Sequence, residues 1–216
     1  MIFRGYGVTL TRLQHKDIEL VRQHRNSSYV QQFMEFREEI SKADQEKWFL
    51  SINNKHNNYF LISHNEETIG LIYGAGLDWE KKETANGGIF IWSEKFLETE
   101  ATLGASLMLT EISFLIGLER TYIKVLRDNS RAISFNKNLG YEIMPGQEQI
   151  KNQRYILTKT NFLSKAKRIC EYFIHRYGEV FEIHFDHSED ESEARWIEAC
   201  NAATEQDKKR MKLIIG

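Results

Sequence analysis

Residues Tyr122–Tyr141, YIKVLRDNSRAISFNKNLGY, decide the fold. Tyr122 to Leu126 reads as a strand, and Asn129 stands where a helix N-cap belongs, ahead of a helix from Ser130 to Leu139. This order places the Asn129 amide and the backbone N–H groups after it at a strand end, facing outward. On the helix, Ala132, Ile133, Asn136 and Leu139 share one stripe, so Asn136 faces inward.

Working outward, Ala101–Leu118 is helical, and Tyr141–Met144 and Arg154–Thr158 are strands around a Pro145-Gly146 loop. Upstream, Tyr59–Ser63, Thr68–Leu77 and Gly87–Trp92 read as strands, the first two joined by the His64-Asn65-Glu66-Glu67 turn. Before them come a strand over residues 7–13, a helix from Asp17 to near Asn26, and a helix opened by Ser41 and Asp44 that carries Trp48, Phe49 and Ile52. The alternation predicts an α/β domain closing near residue 160. In the remainder, 161–216, Phe162, Ala166, Ile169, Cys170, Phe173 and Tyr177 mark an amphipathic helix over 162–176, followed by a strand through Phe181, Ile183 and Phe185. Ser188 with Glu191 should cap a last helix bearing Trp196 and Cys200. So many large apolar groups predict that this segment packs on the main domain or on a second copy of the chain, a homodimer in the latter case.

Composition narrows the function. The 216 residues hold 41% hydrophobic side chains and one proline, which excludes a collagen-like or disordered chain. Lys plus Arg number 29 against 31 acids, which argues against nucleic acid as partner. Two distant cysteines, Cys170 and Cys200, fit reduced thiols, and no run is long and apolar enough for a signal core or a membrane span; the expectation is a cytoplasmic protein with no membrane partner. His184, Asp186 and His187 lack a fourth ligand, and no metal is assigned. Phosphate-loop, dinucleotide-fingerprint, nucleophile-elbow and zinc-protease patterns are missing, so the chemistry needs few protein groups.

Val125, Asn129, Ala132, Phe135, Gly140 and Tyr141 follow V-x-x-x-N-x-x-A-x-x-(F/Y)-x-x-x-G-(F/Y), and here the chain resembles the GNAT acetyltransferase superfamily. Arg25-Asn26, Val30, Met34, Ser41 and Trp48 look like the acceptor-side helices of its aminosugar and ribosomal-protein branches, and Gly88-Ile89-Phe90-Ile91 resembles the cofactor strand; residues 7–159 are covered. The resemblance implies a mixed, largely antiparallel central sheet flanked by helices, with acetyl-CoA as co-substrate. It also implies direct attack by an amine on the thioester, for which the protein supplies positioning and proton routes. Pantetheine would run beside Phe90, Ile91 and Trp92 as an added strand. The pyrophosphate would meet Asn129 and the start of the helix near Ala101, Thr102 and Gly104.

Two departures matter. The glycine-rich phosphate loop of the family falls on Leu97–Thr102, LETEAT, with Glu98 and Glu100 where phosphate arrives and no glycine before Gly104. The tyrosine that many relatives carry after the Phe135 position is Asn136 here, able to donate a hydrogen bond to a thiolate but no proton. Glu83 ranks first as general base, ahead of His15, His56 and His64, and Asn86, which like Glu83 precedes the cofactor strand, is a candidate for binding the acceptor. A lysine-like amine of pKa about 10.4 costs about 4.6 kcal/mol to deprotonate at pH 7, an α-amino-like one of about 8 only about 1.4, so a weak base suits the second type. Arg25 and Asn26 end a helix where they could reach acceptor phosphate or hydroxyls, and Trp79, between Asp78 and Glu80, could stack on a sugar or base; Trp48 reads as core. The acceptor expected is a small amine, foremost a nucleotide-linked aminosugar, with a protein N-terminal amine second. A silent acyl-CoA-binding module is the reading from another class.

Overall fold

A computed structural model describes residues 1–186 and 191–216. Its ten strands form one sheet: β1 (Ile2–Gly5), β2 (Val8–Arg12), β3 (Asn57–His64), β4 (Glu67–Asp78), β5 (Glu83–Ile91), β6 (Arg120–Leu126), β7 (Glu142–Ile143), β8 (Asn152–Thr158), β9 (Phe181–Phe185) and β10 (Met211–Ile215). The order across it is β10-β9-β1-β2-β3-β4-β5-β6-β8-β7. Neighbours run antiparallel except β5–β6 and β9–β10, which are parallel. The helices are α1 (Ile18–Arg25), α2 (Ser28–Gln31), α3 (Lys42–Ile52), α4 (Glu100–Leu115), α5 (Ser130–Leu139), α6 (Lys159–Lys165), α7 (Lys167–Tyr177), α8 (Glu191–Ala202) and α9 (Glu205–Lys208).

Alternation along the strands separates two cores. Phe60, Ile62, Ile69 and Ile72 point into the larger one with α4, α7 and α8, while Leu61, Leu71, Tyr59 and Tyr73 join α1–α3 in the other. Side-chain caps set several helix starts: Ser27 accepts from Val30 N, Ser41 from Asp44 N, and Asn129 from Ala132 N. The β3–β4 hairpin turns on Asn65 and Glu66, both at positive φ (48° and 65°), the twist that suits a two-residue connection.

Several local expectations need adjusting. The N-terminal strand is a hairpin, β1 and β2, turning at Tyr6 and Gly7. The stretch expected as one helix over 162–176 is two, because Ala166 (φ −85°, ψ −2°) ends α6 and begins α7. β10 is an unanticipated strand beside β9, since its sequence, MKLII, is too short and unevenly patterned to declare itself. The Ser188 cap and His187 lie outside the described residues. His184 instead meets Arg4 at 2.6 Å, and no metal-binding cluster occurs among the described residues.

The segment after residue 160 is built into the same sheet. β9 pairs with β1, and Trp196 of α8 packs at 5.2 Å from Phe3 while its indole N–H donates to Asn58. The Met1 ammonium meets the Glu193 carboxylate in the interior. No helix among the described residues is long and apolar enough to cross a membrane.

Candidate active site

The sheet forks between β5 and β6. The two pair only at Glu83–Arg120 and Thr84–Thr121, after which β6 continues with β8 and β5 with β4. From Ala85 to Ile91 the β6-facing edge of β5 therefore has no ladder partner among the described residues, which leaves backbone donors and acceptors for an extended chain to pair with. A cavity of about 840 Å³ fills the fork and continues to the α1–α3 side. Gly87 keeps its floor open: a Cβ there would stand 3.2 Å from Tyr73 O and 3.5 Å from Tyr122 O.

One wall is the α4 face bearing Thr102, Ser106, Leu109 and Ser113. The preceding loop is held without glycine, since the Thr99 and Thr102 hydroxyls both donate to Phe96 O. Thr99 therefore does not cap α4, and the first-turn amides have no side-chain acceptor among the described residues. The carboxylates of this loop are turned to other partners. Glu98 pairs with Arg131 at 3.3 Å, and Glu100 lies with Arg176, Tyr172 and Tyr177 of α7. A free strand edge leading to an uncapped helix start fits a long, flexible acyl carrier ending in phosphates. Phe90, Ile91 and Asn129 also line this cavity.

On the α1–α3 side the cavity is lined by Arg25, Trp48, Tyr59, Tyr73 and Asn86. Tyr59 and Tyr73 are cross-strand partners, stacked at 4.7 Å with 6° between their planes. Burial raises both phenols, Tyr59 to about 12, so both are neutral donors at pH 7. The Arg25 guanidinium and the nearby Asn86 amide offset part of the rise at Tyr73. Burial also lowers the Arg25 pKa, and no carboxylate among the described residues lies within ion-pair distance of this guanidinium. Glu35 is the one carboxylate among the lining residues, and it accepts from the Asn152 amide at 2.7 Å.

Other expected site residues lie elsewhere. Asn26 clasps the backbone of Ile40 through both its amide atoms, fixing the α2–α3 connection. Trp92 stacks on His24 at 4.3 Å and donates to Thr68 O. Trp79 stands edge-on to Trp196, outside the cavity lining. Ala101 is buried, and Gly104 faces Tyr6 and Phe173, on the side of α4 away from the fork. Glu83 sits at the closed end of the fork, 3.5 Å from Arg120 Nε and 3.4 Å from the Tyr122 hydroxyl. Asn136 does line the cavity, with its amide donating to Ala132 O at 2.8 Å. The Tyr59–Tyr73 platform escaped the sequence reading, although their matching positions on two strands of one hairpin were the signal.

A forked sheet with an open strand edge aimed at a helix start defines an acyl-carrier-dependent transferase. Residues 10–157 match the acetyltransferase (GNAT) domain model, and the chain belongs to that family of acetyl-CoA-dependent N-acetyltransferases. Among solved structures it is similar to apo FdhC, a nucleotide-linked sugar GNAT (19% identity, TM-score 0.65, 80% of this chain and 98% of that one). It is also similar to RimL, a ribosomal alpha-N-protein acetyltransferase in complex with coenzyme A (14%, TM-score 0.64, 73% and 98%). The spermidine N-acetyltransferase of Vibrio cholerae in complex with CoA and spermine is a third (16%, TM-score 0.59, 73% and 98%). At these identities the likeness is one of fold. No curated protein sequence matches the chain.

Proposed function

We propose that the acceptor is a primary amine on a molecule that also carries an anionic group, with a nucleotide-linked aminosugar as its class. The carrying observation is Arg25, a largely buried cation with no counter-ion among the described residues, beside the Tyr59–Tyr73 stack. A guanidinium held in this way is stabilised by a phosphate that reaches it, and an aromatic platform suits a sugar face or a base. A polyamine would instead bring further positive charge to Arg25 with only Glu35 in compensation. The FdhC likeness points in the same direction without deciding it.

Acetyl-CoA, when bound, supplies an activated acetyl thioester. The open edge of β5 would orient the pantetheine arm, and the uncapped start of α4 with Asn129 would receive the phosphates. Asn136 would direct its remaining amide hydrogen at the departing sulfur, with solvent as proton source. A weak or solvent-mediated base suffices for an amine of low pKa. The buried free thiols of Cys170 and Cys200 support a reducing compartment such as the cytoplasm. A second reading, acetylation of protein N-termini, draws on Phe33 and Phe36, exposed apolar groups on the cavity rim that could pack against a peptide.

Thiol release with nucleotide-linked aminosugars, free aminosugars, peptides and polyamines, in wild type and Arg25→Gln, tests the proposal. The nucleotide-linked class should turn over fastest. R25Q should raise its KM about 10- to 100-fold, the worth of a hydrogen bond to a charged group, and leave the free aminosugar unaffected. Preference for a polyamine, or an R25Q KM equal to that of wild type, refutes the assignment.

A further inference from the structure

Glu100 is the first residue of α4, the helix whose start would receive the cofactor phosphates. A carboxylate in that turn competes with phosphate for the positive end of the helix. In this chain the carboxylate is gripped from outside. The Tyr172 hydroxyl donates to Oε1, the Tyr177 hydroxyl to Oε2 at 2.8 Å, and Arg176 Nε stands 3.0 Å from Oε2. Arg176 Nε also donates to the Tyr177 hydroxyl at 3.1 Å, so the three α7 side chains form one unit.

The grip follows a stripe of α4. Glu100, Gly104 and Glu111 fall on one face at 100° per residue, and Thr102, Ser106, Leu109 and Ser113 on the opposite one. The second face lines the cavity. On the first, Gly104 admits the Tyr6 backbone and the Phe173 ring, which a Cβ would meet at 2.6 and 3.1 Å, and Glu111 takes Arg210 at 3.1 Å. Residues of the C-terminal segment therefore hold the outer side of the cofactor helix along its length.

We propose that Tyr172, Arg176 and Tyr177 are positioning residues for coenzyme A: they draw the Glu100 carboxylate to the outer face of α4 and neutralise it, so that a loop without glycine, carrying the two acids Glu98 and Glu100, still admits a pyrophosphate. The inference rests on the reading that the phosphates meet the start of α4. Hydrogen bonds from Tyr172 and then Tyr177, followed by Arg176, hold the Glu100 carboxyl below its ordinary range, so it is ionised at neutral pH and its charge must be countered.

The test is calorimetric binding of CoA, and of pantetheine as a probe without phosphates, to the full chain at low and high salt. Tyr172→Phe/Tyr177→Phe and Arg176→Gln should each raise the CoA Kd about two- to five-fold at low salt, less at high salt, and leave pantetheine unchanged. Adding Glu100→Gln should restore the wild-type Kd in both backgrounds. Loss of affinity that E100Q does not restore would make α7 a packing element only and overturn the proposal. Glu100→Lys separates the two levels: if it tightens CoA while the α7 variants bind as wild type, the clamp is wrong and the cofactor placement stands. If it leaves the CoA Kd unchanged, the phosphates do not meet α4 and both fall.

Discussion

Arg210→Met should destabilise the protein severely although Arg210 is remote from the cavity. The guanidinium enters a polar cluster beneath β1 and α4: Nη2 lies 3.1 Å from Glu111 Oε2 and 3.2 Å from the Tyr6 hydroxyl, and Nε donates to Glu179 O at 3.0 Å. Glu111 is 6% exposed and Tyr6 1%, so water cannot replace what the arginine supplies. Burial, reinforced by Glu111, pushes the Tyr6 phenol far above its usual range and keeps it a donor. Methionine keeps most of the volume and deletes the charge, leaving a buried carboxylate without its cation. Breaking a fully buried pair in this way costs about 3 to 5 kcal/mol. The Arg210 side chain is 23% exposed, which places the loss near 3 kcal/mol, or about 6 to 12 °C in Tm for a chain of this size. Urea unfolding followed by tryptophan fluorescence measures it. Adding Glu111→Gln should recover at least half the loss, since the uncompensated charge is what costs. A single variant within about 1 kcal/mol of wild type, or a double variant less stable than the single, would refute the account of this cluster.

Two further outcomes are expected. Asn136→Ala should lower kcat by roughly 5- to 150-fold, the worth of about 1 to 3 kcal/mol, with little change in CoA Kd; steady-state rates beside calorimetry check this, and wild-type turnover would make Asn136 a structural amide. Stability should also fall in alkali. Burial raises Tyr59 from 10.0 and Cys200 from 9.0, each to about 12, so the neutral forms contribute fully below about pH 9 and that contribution is lost as pH rises through 12. Urea midpoints of Tyr59→Phe should decline less than those of wild type between pH 9 and 12, and parallel declines would contradict the assignment.

What the sequence disclosed depended on the range of the interaction. The Asn129 cap and the helix from Ser130 to Leu139 are local, and YIKVLRDNSRAISFNKNLGY was sufficient to place both. The hydrophobic stripe of α7 was equally plain, but its break at Ala166 was not, because a single residue at ψ near zero leaves the spacing of apolar residues almost unchanged. The fork is another matter. Nothing in ETANGGIFI or RTYIKVL states that two parallel strands part after two pairs, so the free edge of β5 could be expected only through resemblance. Trp79, flanked by acids in the chain, looked accessible; its packing on Trp196 joins positions more than a hundred residues apart.

The acidic phosphate loop shows why local charge is a poor guide to local potential. In the chain, Glu98 and Glu100 stand among LETEAT with no cation inside the loop, and the sequence reads as hostile to an anion. In the fold, Arg131 from α5 reaches Glu98, while α7, more than seventy residues downstream, takes Glu100 to the far side of the helix. Each carboxylate then belongs to an ion pair, whose field falls away faster with distance than that of a lone charge, and the uncapped α4 amides face the cavity without opposition. Glycine would let the backbone approach a phosphate closely; here the Thr99 and Thr102 hydroxyls instead fold the loop onto Phe96 O, which shapes the same turn with side chains. The consequence is a dependence that a glycine loop does not have, because the α4 start is cleared by residues of the C-terminal segment.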